Sequence, residues 1–435
     1  MDFFNISPLD NRYYDKVSNL RIITSDYGIN KIRFDTELAY FKEIVKYIHG
    51  YENSEFTIEF NETAFEKIKD IEKTTNHDIK AIEYYIREKV LENKDYEYYK
   101  YHNLIHFALT SQDINSFTNS LSIKLTVENI ILPKLLNISA ILEFMGDNWT
   151  NVNMMSRTHG QPAVTTSMGK EMSVFNSRLR IQLKKLSEYK YSTKFGGAVG
   201  NLNAHYFSYP GKHWELFMDC FCNKYELTRN KLTTQVDHYD NLTEVFDILK
   251  RINTILIDLS VDIWMYISIN YFKLKTIKTE VGSSTMPHKV NPINFENCEG
   301  NLYMSNGILQ VFSNKLPISR YQRDLSDSTI ARNFGVAFGY SLLAYESLIT
   351  GLNKLEINRA VIDSDLNNNW AILTEAIQCI MKTENKENAY EIIKNYTRGT
   401  EGAFGKDNYI DLVNSLDISS ESKDRLIRLT PKNYF

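Results

Sequence analysis

The chain has 435 residues, of which 43% are hydrophobic and 24% charged, and its formal net charge is -4. These proportions are typical of an ordinary folded protein and exclude a disordered or fibrous polypeptide. A slightly acidic chain lacks the broad basic surface that attracts nucleic acid, so we expect no nucleic-acid partner.

The N-terminus has no basic segment followed by an apolar run, which argues against export and against a transit peptide. The longest charge-free apolar stretch, Ile263 to Phe272, is much shorter than the ~20 residues that a membrane-spanning helix needs. Four cysteines show neither a disulfide framework nor a zinc-site spacing. We therefore expect a cytoplasmic protein with reduced thiols and no membrane partner.

Helical periodicity recurs from about residue 30 onward and strand signals are scarce, which predicts an all-α fold. The strongest segment has apolar residues in alternating steps of three and four: Leu242, Val245, Leu249, Ile252, Leu256, Leu259, Ile263 and Tyr266. This pattern predicts one straight bundle helix on the order of 40 Å long. Phe246, Ile255, Ile257 and Val261 add apolar surface beside the seam, which favours an oligomeric bundle.

The helical pattern divides the chain into an N-terminal helical domain, a central long-helix bundle and a C-terminal helical cap. We place these domains at residues 1–105, 106–353 and 354–435. Gly196 to Gly200 lacks the residues of a P-loop or a dinucleotide fingerprint and is interpreted as a tight turn.

Two polar segments resemble helix starts. Thr74 to Asp78 predicts a helix from Asp78 onward with a threonine or asparagine cap, and Thr110 to Asp113 is a similar hydroxyl-rich break. Helix starts can bind a carboxylate or a phosphate, although capping alone would explain the same residues.

A third polar segment runs from Ser156 to Ala163, between a helix expected to end near Trp149 and one expected to start near Thr165. His159 is its candidate acid or base, because histidine can exchange a proton near neutral pH. A histidine that merely caps a helix end is the alternative interpretation.

The loop from Gly282 to Pro292 interrupts the helical pattern with small residues, hydroxyls and Lys289. Small residues leave backbone N–H groups free to meet an anion, so we interpret the segment as an active-site loop. An ordinary solvent-exposed loop is the alternative.

Two arginine groups suit a phosphate: Arg12 beside Tyr13, and the segment from Arg320 to Arg332. Guanidinium groups bind phosphate oxygens in pairs. Alternatively, the second group pairs with Asp324 and Asp327.

Together the segments 110–113, 156–163 and 282–292 resemble the three signatures of the fumarase/aspartase superfamily. Four stretches are similar to the bacterial-type branch of the adenylosuccinate lyase family: Ser7 to Tyr13, Thr74 to Asp78, Arg157 to Pro162 and Met286 to Lys289. The resemblance runs through essentially the whole chain.

The resemblance implies a three-domain all-α fold whose long central helices form one bundle in a homotetramer. Each active site would be shared by three subunits, and the 282–292 loop would close on binding. The implied reactions release fumarate from adenylosuccinate, giving AMP, and from the succinylaminoimidazole carboxamide ribotide. The implied ligands are small molecules, with no metal and no cofactor.

The resemblance also implies residue roles. Ser283 would remove the Cβ proton, His159 would protonate the departing nitrogen and His77 would flank the catalytic histidine. A free serine is too weak a base, and we infer from charge that Lys289, with nearby loop amides, stabilises its alkoxide. The candidate catalytic residues are therefore His159, Ser283, His77 and Lys289. The other expected substrate contacts are Arg12, Tyr13, Asn76, Asp78, Thr110, Ser111, Gln112, Thr158, Gln235, Ser284, Met286, Asn291, Arg323, Leu325, Ser328 and Arg332. Among these, Arg12, Tyr13, Arg323, Ser328 and Arg332 match phosphate contacts.

Two other interpretations remain open. The chain could be another fumarate-releasing lyase of the superfamily, acting on argininosuccinate, fumarate or aspartate, or a non-catalytic structural member of the fold. A serine hydrolase is disfavoured because Ser283 does not lie in a G-x-S-x-G turn.

Overall fold

The computed structural model describes residues 5–275, 286, 289–398 and 404–434. Within these residues the chain is mainly helical, which confirms the all-α prediction. The α-helices are α1 Ser18–Thr24, α2 Asp26–His49, α3 Glu62–Thr75, α4 Asp78–Glu92, α5 Ser111–Thr126, α6 Leu132–Asn148, α7 Met168–Ser187, α8 Asn203–Ser208, α9 Trp214–Asn223, α10 Asp240–Ser268, α11 Ile293–Lys315, α12 Ser326–Ala331, α13 Phe334–Asn353, α14 Arg359–Asn367, α15 Thr374–Thr383, α16 Ala389–Thr397, α17 Lys406–Ser415 and α18 Ser420–Ile427.

Short strands connect some of these helices in the described part of the chain. They are β1 Asn153–Thr158, β2 Gln161–Ser167, β3 Ser192–Lys194, β4 Thr228–Asn230, β5 Phe272–Leu274 and β6 Leu355–Ile357. Strands β1 and β2 pair antiparallel, β3 and β4 parallel, and β5 and β6 antiparallel. Because each sheet has only two strands, the sheets join helices and do not form a core of their own.

Helix α10 confirms the predicted long bundle helix. All seam residues from Leu242 to Ile263 are buried, and Tyr266 is half-buried. Three of the four apolar residues beside the seam are also buried in the single chain, whereas Val261 is 37% exposed. Trp264 and Met265 are exposed near the same end of the helix. The apolar surface left for another subunit is therefore smaller than the sequence pattern predicts.

The chain divides into two compact units. The first unit comprises residues 1–136, 181–254 and 298–346, and the second comprises 137–180, 255–297 and 347–435. Their borders fall inside α6, α7, α10, α11 and α13. The domain boundaries at 105 and 353 stay a prediction.

An aromatic core in the first unit holds α2, α3 and α4 together. Phe34, Phe41, Phe56 and Tyr98 are fully buried in it, and the Phe56 and Tyr98 ring centroids are 4.5 Å apart. Every buried residue of this core lies between positions 34 and 105. The core positions the start of α4, where the Thr74 to Asp78 segment lies.

A separate core in the second unit joins the C-terminal helices to β1. Met155 of β1 packs with buried residues that include Leu373, Tyr409 and Leu412. This packing fixes one strand of the β1–β2 hairpin, whose turn carries His159.

One continuous helical run, Ser111–Asn148, is long and apolar enough to cross a membrane by length and composition alone. It contains α5, a π-helical turn at Val127–Ile131 and α6. Core helices of soluble proteins meet the same criterion, so this run is weak evidence for a membrane span.

Candidate functional site

Helix α4 begins at Asp78, as predicted, but its cap is His77 and not a threonine or asparagine. His77 has extended backbone angles, and its Nδ1 atom accepts a hydrogen bond from the Lys80 N–H at 3.2 Å. Asn76 instead ends α3 in the left-handed conformation, with φ 51°. Asparagine tolerates this conformation better than most residues, so the chain turns between the two helices within two residues.

Asp78 forms an ion pair with Arg33 of α2, with 3.1 Å between Oδ2 and Nη1. Its Oδ1 atom accepts a hydrogen bond from the Ile79 N–H at 2.8 Å. Burial disfavours the charged carboxylate, but Arg33 and the Ile79 amide outweigh burial, and the pKa of Asp78 is lowered. The cavity wall therefore carries an ionised carboxylate at neutral pH.

The start of α5 is held by the carboxylate of Asp113. Its Oδ2 accepts from the Thr110 N–H at 2.8 Å, and its Oδ1 accepts from Lys194 Nζ at 2.6 Å and Gly196 N at 2.7 Å. The side chains of Asp113 and Lys194 are both fully buried. Burial lowers the pKa of Lys194, although Asp113 opposes that shift. The capping interpretation is therefore correct for Asp113. The side chains of Ser111 and Gln112 take no part in these contacts and interact with other groups.

Ser111 and Gln112 connect α5 to two further polar groups. Ser111 Oγ lies 3.4 Å from His77 Nε2. Gln112 Nε2 and the Tyr239 hydroxyl each donate to Asp327 Oδ2 at 3.1 Å. Burial and the nearby Asp327 charge raise the pKa of Tyr239 well above its usual range, so Tyr239 stays a hydrogen-bond donor.

The arginine segment around α12 is only partly neutralised by its own carboxylates. Arg320 Nη1 lies 3.0 Å from Asp324 Oδ2, whereas Arg323 Nη1 lies 3.8 Å from Asp327 Oδ2. Among the described residues, no carboxylate lies within ion-pair distance of Arg332. The pairing alternative is therefore correct for Arg320 and weak for Arg323, and Arg332 is available for an anion.

A cavity of about 890 Å³ in the first unit gathers many of the predicted contacts. Its lining includes Asn76, His77, Asp78, Thr110, Ser111, Gln112, Gln235, Arg323, Leu325, Ser328 and Arg332. Four separate stretches of sequence thus meet around one space. Within the described residues, no cluster of three or more His, Cys, Asp or Glu side chains could hold a metal ion.

Two polar helix faces that the sequence analysis missed complete the wall. One face, on α2, carries Asp26, Asn30 and Arg33, and the other, on α3, carries Lys69 and Glu72. Lys69 Nζ lies 3.1 Å from Asp26 Oδ2 and 2.7 Å from Glu72 Oε2. The helical spacing of these polar residues is visible in the sequence. Such spacing usually marks a solvent-exposed face, so it did not distinguish a cavity wall from an ordinary surface.

Arg12 and Tyr13 do not line this cavity. Arg12 is exposed, and its Cζ atom lies 5.8 Å from the Tyr13 ring centroid. Their predicted contact with a phosphate stays a prediction.

Thr158 and His159 lie at the tip of the β1–β2 hairpin in the second unit. Thr158 pairs with Gln161, and the two residues between them have positive φ, 52° at His159 and 75° at Gly160. Two positive φ values between paired strands are typical of a type I′ turn. The segment lies between two helices as predicted, since α6 ends at Asn148 and α7 starts at Met168, but the two strands that flank the turn were not predicted. His159 is exposed and caps no helix.

Part of the predicted catalytic loop lies outside the described residues, including Ser283, Ser284 and His288. Met286 and Lys289 are exposed and Asn291 is half-buried, all in the second unit. The Lys289 N–H donates to the Met286 carbonyl at 3.0 Å. The roles of these loop residues stay predictions.

Family models match most of the chain. A model described as "Lyase" matches residues 29–305, and one described as "Adenylosuccinate lyase C-terminal" matches residues 319–435. Three similar proteins named adenylosuccinate lyase come from Legionella pneumophila strain Corby, Dictyostelium discoideum and Escherichia coli K12, at 44%, 45% and 43% identity. Each alignment covers 99% of this chain and 96% of the relative.

Solved structures support the same fold at lower sequence similarity. A fumarate lyase from Mesorhizobium sp. BNC1 has a TM-score of 0.76 at 15% identity, covering 96% of this chain and 95% of that one. A β-carboxy-cis,cis-muconate cycloisomerase from Acinetobacter calcoaceticus has a TM-score of 0.73 at 13% identity, with the same coverage. Identities this low show the fold alone. The full-length relatives and the matched family models show that the chain belongs to the adenylosuccinate lyase family.

Proposed function

We propose that this lyase releases fumarate from adenylosuccinate, giving AMP, and from the succinylaminoimidazole carboxamide ribotide, giving the carboxamide ribotide. The observation that carries the proposal is the first-unit cavity, which has an arginine-rich wall and a histidine–serine wall. Its volume of about 890 Å³ suits a ligand of nucleotide size. The full-length relatives, which are named adenylosuccinate lyase, support the same substrate.

The arginine-rich wall is the proposed phosphate end. Arg323, Ser328 and Arg332 line it, and Arg332 has no carboxylate partner among the described residues. Guanidinium and hydroxyl groups can hold a phosphate monoester without a metal. This end would anchor the nucleotide and leave the succinyl group elsewhere in the cavity.

The histidine–serine wall is the proposed succinyl end. His77 and Ser111 line the cavity close to each other, beside Thr110. Negative charge builds up on the carboxylate next to the carbon that loses its proton, so hydrogen-bond donors there would lower the barrier.

The elimination breaks one C–H bond and one C–N bond. The C–H electron pair becomes the carbon–carbon double bond of fumarate, and the C–N pair leaves with the nitrogen, which takes a proton. We assign the first proton to Ser283 and the second to His159, as the family resemblance implies. The exposed ring of His159 supports its assignment, because it leaves the imidazole accessible to a substrate.

We further propose a cytoplasmic homotetramer with active sites shared by three subunits. The exposed Val261, Trp264 and Met265 on α10 support contacts between subunits. Arg12 and Tyr13 would then reach a phosphate held by another copy, since they do not line the cavity of their own chain. Native mass spectrometry tests the assembly, and a stable monomer at working concentration would contradict it.

A substrate comparison tests the reaction. Purified protein is incubated separately with adenylosuccinate, argininosuccinate and malate, and fumarate or amine release is followed. We expect brisk formation of AMP and fumarate from adenylosuccinate only. No turnover of adenylosuccinate together with rapid turnover of another compound would assign the chain to another lyase of the superfamily.

A further inference from the structure

The ring of His77 is held by two groups whose hydrogen-bonding roles are known. The Lys80 backbone N–H can only donate, and it lies 3.2 Å from His77 Nδ1. Nδ1 therefore accepts and carries no proton. The nearest carboxylate oxygen, Asp78 Oδ1, is 3.9 Å from Nδ1, which is too long for a hydrogen bond that would place a proton there.

The proton of the neutral ring consequently lies on Nε2. This atom is 3.4 Å from Ser111 Oγ, and both side chains line the cavity. Ser111 can then accept from His77 and still donate its own proton into the cavity.

We propose that His77 is a positioning residue that donates a hydrogen bond through Nε2 to Ser111 and transfers no proton during the elimination. The chain of donors from Lys80 through His77 to Ser111 ends in a hydroxyl aimed at an anionic oxygen, which we infer to be a substrate carboxylate. This inference rests on the proposed elimination and makes the role of His77 specific.

The position of His77 at the start of α4 strengthens this donor chain. Helix α4 has 15 residues, and the N-terminal end of a helix carries partial positive charge. Hydrogen bonds that all run in one direction polarise one another. Each bond therefore makes the Ser111 hydroxyl a better donor to a negative ligand.

Two substitutions test the hydrogen bonds of the two ring nitrogens of His77 independently. In His77→Asn the side-chain amide reaches the position of Nδ1, where it can cap α4 but cannot reach Ser111. In His77→Gln the amide reaches the position of Nε2, where its NH₂ group can still donate to Ser111. Neither amide can transfer a proton near neutral pH.

We expect His77→Gln to keep kcat/KM for adenylosuccinate within about fivefold of wild type. His77→Asn should lose on the order of 10-fold, the upper range for losing one hydrogen bond between uncharged groups. The thermal midpoints should rank in the opposite order, because only Asn restores the cap. A folded His77→Gln protein as inactive as His77→Asn would overturn the donor role and assign His77 a proton transfer.

Nitrogen-15 NMR of labelled histidine tests the tautomer without any substrate. We expect an unprotonated Nδ1 and a protonated Nε2 for His77, identified by the loss of its signals in His77→Gln. The opposite tautomer would overturn the inference even if adenylosuccinate turns over. Failure of wild-type protein to cleave adenylosuccinate would instead refute the proposed function, while the tautomer would still be measured.

Discussion

Arg33 Nη1 and Asp78 Oδ2 lie 3.1 Å apart in the cavity wall and tie α2 to the start of α4. Their side chains are 16% and 27% exposed, so the pair is partly shielded from water. Arg33 holds the pKa of Asp78 low and also fixes the residue next to His77. The ion pair thus links the stability of the N-terminal helices to the geometry of the site.

We predict that Arg33→Met lowers kcat/KM for adenylosuccinate about 10- to 100-fold and raises the pKa of Asp78. Because the native pKa lies below its ordinary value of 3.8, the ionised carboxylate stabilises the fold above about pH 4. That contribution is lost as the pH falls through the lowered pKa. In Arg33→Met the pH at which the protein unfolds in acid should therefore rise towards the ordinary pKa range of Asp. Circular dichroism across pH 2–6 can measure this change.

Arg33→Lys is the matched control, because it keeps the positive charge. It should retain most of the acid stability of wild type. If Arg33→Met unfolds in acid at the same pH as wild type, Arg33 does not stabilise the ionised Asp78.

We predict that His159→Ala lowers kcat on the order of 10²- to 10⁴-fold, the usual effect of losing a general acid. Since the side chain is exposed, the thermal midpoint should stay close to that of wild type. His213→Ala, at another exposed histidine, should leave kcat unchanged. Nearly normal turnover in His159→Ala would transfer the acid role to another group.

We predict that Ser283→Ala abolishes measurable elimination but leaves AMP affinity within a few-fold of wild type. The proposed phosphate contacts lie in other segments, so calorimetric AMP titration separates binding from chemistry. Ser284→Ala is the neighbouring control and should keep more activity. Substantial turnover in Ser283→Ala would transfer the base role to Ser284 or elsewhere.

The buried His205 predicts a pH-dependent stability. The Tyr40 hydroxyl donates to the Phe107 carbonyl at 2.9 Å and therefore accepts from His205 Nε2 at 3.0 Å. Burial lowers the pKa of His205 to about 4, because the charged ring would lose its water. The unfolded chain binds this proton near the ordinary value of 6.5, so the native state loses stability as the pH falls from 6.5 to 4.

The expected loss for this one group is at most roughly 3 kcal/mol across that window. His205→Gln keeps a donor to Tyr40 but removes the titration. Urea unfolding near neutral and mildly acidic pH should show a smaller pH dependence in His205→Gln than in wild type. Parallel pH profiles for the two proteins would refute the assignment.

The main elements of the fold were predictable because their signals are local. The seam repeats every three to four residues along most of the 29-residue helix α10, so neighbouring positions alone reveal a buried stripe. The start of α4 at Asp78 was predictable for the same reason. The hairpin at His159 was missed because its turn residues also suit a helix boundary.

The sequence by itself determined the helical class, the α10 helix and the family motifs, since periodicity and motif spacing need only residues close together in the chain. The tertiary structure decided the Arg33–Asp78 ion pair and the contact of Ser111 with His77. It also decided the buried pair of Asp113 with Lys194. These features join side chains that are distant in sequence, and which of them meet depends on how the helices pack. The packing of the helices therefore decides which charged and hydrogen-bonding groups meet at the site. The helices that carry these groups are set by residues close together in the sequence.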